Sequence, residues 1–361
     1  MKKHHLPKIG IASTDWSKTI VDHTGSPIPG GAGWVRLQQL RPHTQFPTVT
    51  GQLAFHDKFG FGISGFDGTM HFDCSVIVMQ RLMFKDLVAK MKDVKSRSVR
   101  PYIINDIDDW YWGLDKANAA YELTRPEKNP DENIDHYREV LQLSDAITVS
   151  TPFLYKQMTE WLPHDNVHMI ENCVTQADFY RRRMNLKAPI VGWVGSTSHR
   201  SNDLEVLQGH LDEKLRYHHS GHVPGTRSFA EATGLPDSKV AVSPMYPPKE
   251  YAKKAFCFDI GLAPLNDIPF NHAKSWIKMI EYAAAGVVGI ASPSPEYRRL
   301  HDRYDIGLIA EDPDDWDRHI KDLRDSNKRN AKASRDLATV KRDLNVYTMV
   351  AAWEDLIGSL L

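Results

Sequence analysis

Twice along the chain, short apolar β-rich runs alternate with amphipathic helical stretches, and this alternation limits the fold more than any other feature. A strand apolar on both faces must be covered on both, which is what the crossover helices of a parallel sheet do. In the first series KIGIAST (8–14), CSVIVMQR (74–81), PYIINDID (101–108) and DAITVST (145–151) read as strands, and VHMIENCV (167–174) closes it. WVRLQQL (34–40), MFKDLVAKMKDV (83–94) and FLYKQMTEWL (153–162) read as helices. The second series has strands at PIVGWVGS (189–196), VAVSPMY (240–246), FDIGLAPL (258–265), GVVGIAS (286–292) and IGLIA (306–310). Its helices are SNDLEVLQGHLDEKL (201–215), the stretch beginning near Lys274, and PEYRRLHDRY (295–304). The expected fold is α/β, with two Rossmann-like doubly wound domains at 1–175 and 186–330, joined near 172–188. The basic Arg181, Arg182 and Arg183 suit an exposed linker, and a charged helical tail, 331–361, can pack back on the first domain. A length of 361 residues agrees, because single cores seldom grow beyond about 250–300 residues.

A formal net charge of −1 excludes a coat of basic surface and leaves room only for a local basic groove. The three cysteines, Cys74, Cys173 and Cys257, are scattered and odd in number, which suits a reducing interior without a disulfide framework. The histidines do not read as a ligand set, so no metal is expected, and His4–His5 and His218–His219 read as exposed polar residues. No run approaches the ~20 apolar residues of a membrane span, and MKKHHLPKIG lacks a signal-peptide core. The expectation is a cytoplasmic protein.

Ligands of open α/β sheets lie beyond the carboxyl ends of the strands, so residues just after each strand are the candidates. In GWVGSTSHRSNDLEVL (192–207), backbone N–H groups at Gly195 and Ser196, with Ser198 and His199 as side-chain donors, can face a phosphate. The same stretch also reads as an ordinary strand-to-helix junction. In GSPIPGGAGWVRL (25–37), Gly30, Gly31 and Gly33 allow close backbone approach to a ligand or form a plain loop. In NDIDDWYWG (105–113), Asp106, Asp108 and Asp109 repel one another, a cost that use as a metal site, general base or sugar clamp would explain. Trp110, Tyr111 and Trp112 would then offer stacking faces; the alternative is a helix start enriched in aspartate. Tyr246 either stacks on a nucleobase or packs in the core. The run MKDVKSRSVR (91–100), with Lys85 and Lys90, is either a solvated helix face or a contact for an anionic acceptor.

NHAKSWIKMIEYAAAG (271–286) carries the sharpest question. At about 100° per residue, Lys274, Lys278, Glu281 and Ala285 share one stripe beside a broad apolar face. Two ammonium groups at a helix start oppose its dipole unless an anion sits there. A solvated stripe with a Lys278–Glu281 pair is the alternative.

In order, SDAITVSTPFLYKQM, VHMIENCVTQADFY, IVGWVGSTSHRSNDLEVL and FDIGLAPLNDIPFNHAKSWIKMIEYAAAGVVGIASPSPEY resemble the glycosyltransferases of the GT-B fold, and among them the large retaining family 4 group. That resemblance implies two Rossmann-like domains facing across a cleft. It implies a nucleoside-diphosphate sugar donor, a UDP- or GDP-sugar, held mainly by the second domain, with no cofactor or metal required. Glu281 matches the second glutamate of the family's paired-glutamate motif, which holds the ribose; the first, eight residues earlier, is Ala273 here, beside His272. Gly195 and Ser196 match the phosphate loop, but the Arg/Lys pair that usually follows is missing unless Arg200 contributes. Lys274 and Lys278, with Ser275 between them, would then carry the pyrophosphate, and Asp108 and Asp109 would orient acceptor or sugar hydroxyls. An inverting enzyme would instead need one of those aspartates, or His71 or His136, as general base. The acceptor is a hydroxyl of a glycan, a protein or a hydroxymethylated DNA base. A nucleotide-sugar epimerase and a binding module without catalysis are the rival readings.

Overall fold

The strand Ile9–Ser13 (β1) is buried at every position, which is why its sequence shows no polar alternation. A computed structural model describes residues 6–14, 16–21, 27–29, 31–116, 118, 120–179, 188–197 and 202–361. They divide into two units, the first comprising the chain up to Lys116 with Ala120–Glu171 and Val346–Leu361, the second Asn172–Asn345.

In the first unit, Trp16–Val21 (β2) and Pro27–Pro29 (β3) form a separate antiparallel ribbon. The main sheet continues with Thr48–His56 (β4), Gly60–Gly65 (β5), Met70–His71 (β6), Val76–Gln80 (β7), Tyr102–Ile107 (β8), Ala146–Val149 (β9) and Val167–Met169 (β10). Its order is β10-β9-β8-β7-β1-β4-β5-β6, parallel from β10 to β4 and antiparallel from β4 to β6. The sequence reading had no strands between 41 and 73. Gly51 looks like a breaker there, yet a Cβ on it would lie 2.0 Å from the Ser64 carbonyl oxygen, so the hairpin needs a glycine. Ile63, Ile77, Met79, Leu87 and Met91 pack beneath this sheet.

Two sequence expectations change here. Gly31 and Gly33 do not lie in a loop: they belong to the helix Gly31–Arg36, and Gly33 is buried. That helix delivers Arg36, fully buried, to Asp106 on β8, with Nη2–Oδ1 at 2.6 Å. Asp106 also accepts from Gln80 Nε2 at 2.9 Å and Thr148 Oγ1 at 2.6 Å. Asp106 is therefore a buried counter-ion, and no metal or base role is left for it.

The second unit has Ile190–Val194 (β11), Arg216–His222 (β12), Val240–Pro244 (β13), Ile260–Ala263 (β14), Val288–Ala291 (β15) and Leu308–Ile309 (β16). All are parallel, in the order β13-β12-β11-β14-β15-β16. The chain runs outward from β11 to one side and then returns to the other, so the switch point lies between β11 and β14. The expected helix over 201–215 shrinks to a 3-10 turn, Asp203–Leu207, because Gly209 takes a left-handed φ of 81°. The chain then enters β12, which the sequence reading missed. His218 and His219 are therefore not exposed: both lie on that strand, and His219 is wholly buried. His218 Nε2 meets Ser243 Oγ at 2.8 Å.

The tail divides. Helix Ser326–Asp343 belongs to the second unit, whereas Val346–Leu360 belongs to the first, where Glu354 accepts from Thr44 Oγ1 at 2.8 Å and Gln45 N at 2.7 Å. Arg181–Arg183, Ser198, His199, Arg200, His4 and His5 lie outside the described residues.

Candidate active site

At the end of β11 the chain turns at Gly195, whose φ of 154° and tight packing suit glycine: a Cβ there would lie 2.8 Å from the Trp193 ring. The turn is held from three sides. Gly195 N donates to the Ser220 carbonyl at 2.9 Å, and His219 Nε2 meets the Gly195 carbonyl at 2.9 Å. A carbonyl can only accept, so His219 carries its proton on Nε2, and its Nδ1 is buried without a partner. Burial lowers the imidazole to about 4, so it is neutral near pH 7. From the other side of β11, Lys278 donates to the Val194 carbonyl, with its Nζ 5.5 Å from the Trp193 ring centroid. Tyr282 OH accepts from Val194 N at 3.4 Å and donates to the Leu262 carbonyl at 2.7 Å, bridging β11 and β14 at the switch point.

Lys278 stands in the first turn of the helix Ile277–Ala284. Lys274 does not share that helix. It has extended backbone, ψ 129°, at the end of the 3-10 turn Pro269–Ala273, and its Nζ lies 4.2 Å from the Phe270 ring. The expected four-residue stripe is thus broken at its first member. The cause is tertiary: Asn172 Nδ2 donates to Ser275 Oγ at 2.7 Å, and Trp276 Nε1 donates to the Asn172 carbonyl at 2.9 Å. Those two bonds pin Ser275 and Trp276 ahead of the helix.

Glu281 lies one turn beyond Lys278. Burial pushes its carboxyl up to about 7, against the Tyr251 hydroxyl, which donates to Oε2 at 2.8 Å, and the Lys278 ammonium, which both pull it down. Ala273 is fully buried, and neighbouring His272 is engaged with Asp267 at 2.8 Å. Tyr246 is half-buried against the core, with Lys254 Nζ 5.8 Å from its ring centroid. Val194, Gly195, Lys278, Glu281 and Tyr251 are linked by these contacts. Tyr251 and Tyr282 carry no local sequence signal, and Asn172 lies in VHMIENCVTQADFY, where the sequence assigns it no role of its own.

The acceptor-side candidates lie in the first unit. Asp108 accepts from Tyr111 OH at 2.6 Å, and Asp109 Oδ1 accepts from Trp110 N at 3.0 Å. The aromatics expected to offer faces are occupied: Trp112 stacks on Trp161 with centroids 4.6 Å apart, Trp110 meets Phe153 edge-on, and Tyr111 is buried. Arg81, directly after β7, has a left-handed φ of 61°, a strained conformation at a strand end. The basic run is mostly neutralised, with Lys92 on Glu139, Lys95 and Arg100 on Asp145, and Arg97 on Asp93.

No protein-family model matches the chain. The Bacillus subtilis protein named for teichuronic acid biosynthesis as glycosyltransferase TuaH is 28% identical over 173 residues, which is 43% of this chain and 42% of that protein, so the match spans less than half of either. Among solved structures, sucrose-phosphate synthase from Thermosynechococcus elongatus is 14% identical with a TM-score of 0.66, covering 98% of this chain and 99% of that one. Anabaena HepE, solved with UDP and glucose, is 11% identical with a TM-score of 0.60, covering 98% and 100%. The fold is GT-B.

Proposed function

We propose that this protein is a glycosyltransferase that moves a sugar from a nucleoside-diphosphate sugar to a hydroxyl acceptor, with retention of anomeric configuration and without a metal. One observation carries the reading: Lys278, the Gly195 turn and Glu281 converge at the switch point of the second unit. As the bond from the anomeric carbon to the diphosphate breaks, charge grows on the departing oxygens. The Lys278 ammonium, the N–H groups starting its helix and the Ser196 backbone just after the Gly195 turn stabilise that charge, and Lys274 approaches from the extended segment before the helix. The acceptor oxygen forms the new bond on the same face, and its proton passes to the leaving phosphate. Glu281, as carboxylate, accepts from the ribose hydroxyls, and Tyr251 orients it.

A UDP-sugar donor is supported by HepE, solved with UDP and glucose. Asp108 and Asp109 orient acceptor hydroxyls, and Gly31 and Gly33, in the short helix Gly31–Arg36, belong to the same unit. The ion pairs along 92–100 favour a glycan or other small hydroxyl acceptor over DNA. Cys74, Cys173 and Cys257 form no disulfide, which suits a cytoplasmic setting, and among the described residues no helix is long and apolar enough to cross a membrane.

The second reading, a module that binds nucleotide sugars without turning them over, is favoured by buried Ala273 standing where the paired-glutamate motif has its first acid. A panel of UDP-, GDP-, ADP- and dTDP-sugars, scored for nucleotide release and product anomer, separates the readings. Slow release from one donor class and a retained anomer are expected. Tight nucleotide binding with no release would point to the binding module, and altered free nucleotide sugar without acceptor to an epimerase.

A further inference from the structure

In the first unit a cavity of about 770 Å³ lies beyond the carboxyl end of β1, where Ser13 and Thr14 reach its wall. It lies between the β4–β5 hairpin and the start of the helix Lys85–Lys95. Its size suits a small-molecule site, which typically occupies about 300–1,000 Å³. The walls are apolar and largely aromatic: Leu53, Phe55, Phe61, Phe66, Leu82 and Phe84. Phe84 is 44% exposed, a large ring left facing solvent beside a hollow. Such walls suit an apolar chain or ring.

The charges are placed unevenly. Lys92, Lys95, Arg97 and Arg100 each have a carboxylate partner, whereas Lys85 and Lys90, the two that line the cavity, form no ion pair among the described residues. Lys90 Nζ instead lies 5.9 Å from the Phe55 ring centroid. Asp86 and Asp131 line the same cavity, so its charged groups balance. That balance is wrong for a polyanion such as nucleic acid. It suits one anionic group for the lysines and a few hydroxyls for the aspartates.

We propose that this cavity binds the body of the sugar acceptor, and that the acceptor is an amphiphile: an apolar chain or ring joined through a single anionic group to a hydroxyl-bearing head. The assignment to an acceptor rests on the glycosyl-transfer reading above; the class of ligand rests on the cavity alone.

The test uses the full chain and two fluorescent probes, anionic 1-anilinonaphthalene-8-sulfonate and neutral N-phenyl-1-naphthylamine, with donor hydrolysis measured in parallel. Both probes are expected to bind one site, and Leu53→Trp, which fills the hollow, is expected to weaken both by about tenfold or more. The exposed pair Lys85→Glu and Lys90→Glu leaves the apolar wall residues in place and is expected to weaken the anionic probe by about tenfold while sparing the neutral one. Displacement by dodecyl phosphate rather than phenyl phosphate would make the apolar body a lipid chain; the reverse would make it an aryl group. Binding within twofold of the parent protein in Leu53→Trp of native thermal stability, or equal loss of both probes on charge reversal, overturns the proposal. Intact donor hydrolysis alongside that result leaves the transfer reading standing. Absent hydrolysis with the expected probe pattern sinks the transfer reading and keeps the amphiphile site.

Discussion

Replacing Lys278 by Met keeps an unbranched side chain only one atom shorter and removes its charge, so it separates a catalytic cation from a structural one. In the folded protein the ammonium makes a charge-assisted bond to the Val194 carbonyl and lies 5.5 Å from the Trp193 ring centroid. A hydrogen bond to a charged group contributes about 1.5–3 kcal/mol when buried. Lys278 is only partly buried, so solvent screening reduces this to about 1 kcal/mol. In a unit of this size that corresponds to a fall in Tm of about 2–4 °C. Turnover should suffer far more. A fixed donor aimed at developing charge accounts for about 10²–10³ in kcat, or about 2.7–4 kcal/mol. Nucleotide release from the active UDP-sugar, followed beside thermal unfolding, measures both. A kcat within threefold of the parent, or a loss explained wholly by unfolding, would refute the role given to this cation.

Four further outcomes are expected. Because the Glu281 carboxyl is pushed up to about 7, nucleotide affinity should rise with pH through that value and flatten above it, and Glu281→Gln should abolish the dependence in calorimetric titrations between about pH 6 and 8. The same raised value means the folded chain holds a proton the unfolded chain has released, so this group's contribution to stability is present below the ordinary carboxylate range and lost as pH climbs through 7. Gly221→Ala would place a Cβ 2.8 Å from the Gly195 carbonyl oxygen at a left-handed φ of 104°, and nucleotide Kd should rise about tenfold; an unchanged Kd would show that the turn does not touch the ligand. Asp106→Ala strands the buried Arg36 charge and should cost about 3–5 kcal/mol in denaturant unfolding of the first unit, whereas the double change Asp106→Leu with Arg36→Met should recover most of it.

The parallel strands were legible because strands buried on both faces are solid apolar runs, as in Ile9–Ser13, Val76–Gln80 and Ile260–Ala263. The β4–β5 hairpin was not, since Gly51 and Gly62 look like loop residues until the close backbone approach they permit is seen, and Gly60 turns the hairpin with a left-handed φ of 76°. RYHHSGH carried no strong apolar signal; His219 is buried with its Nε2 on a carbonyl, and half-buried His218 meets a serine hydroxyl. Within the candidate site, the Gly195 turn and the Lys278–Glu281 spacing could be read locally. The break between Lys274 and the helix could not, because bonds to Asn172, about a hundred residues earlier in the chain, create it. Tyr251 and Tyr282 reach the site from packing that no local period encodes.

Helix Val346–Leu360 returns to the first unit, where Glu354 holds Thr44 and Gln45. During synthesis on the ribosome, the second unit therefore has all its residues first, once Asn345 has emerged. The amino-terminal half, though made earliest, must wait for the last helix before its own packing is complete, and in that interval it is the part most in need of a chaperone.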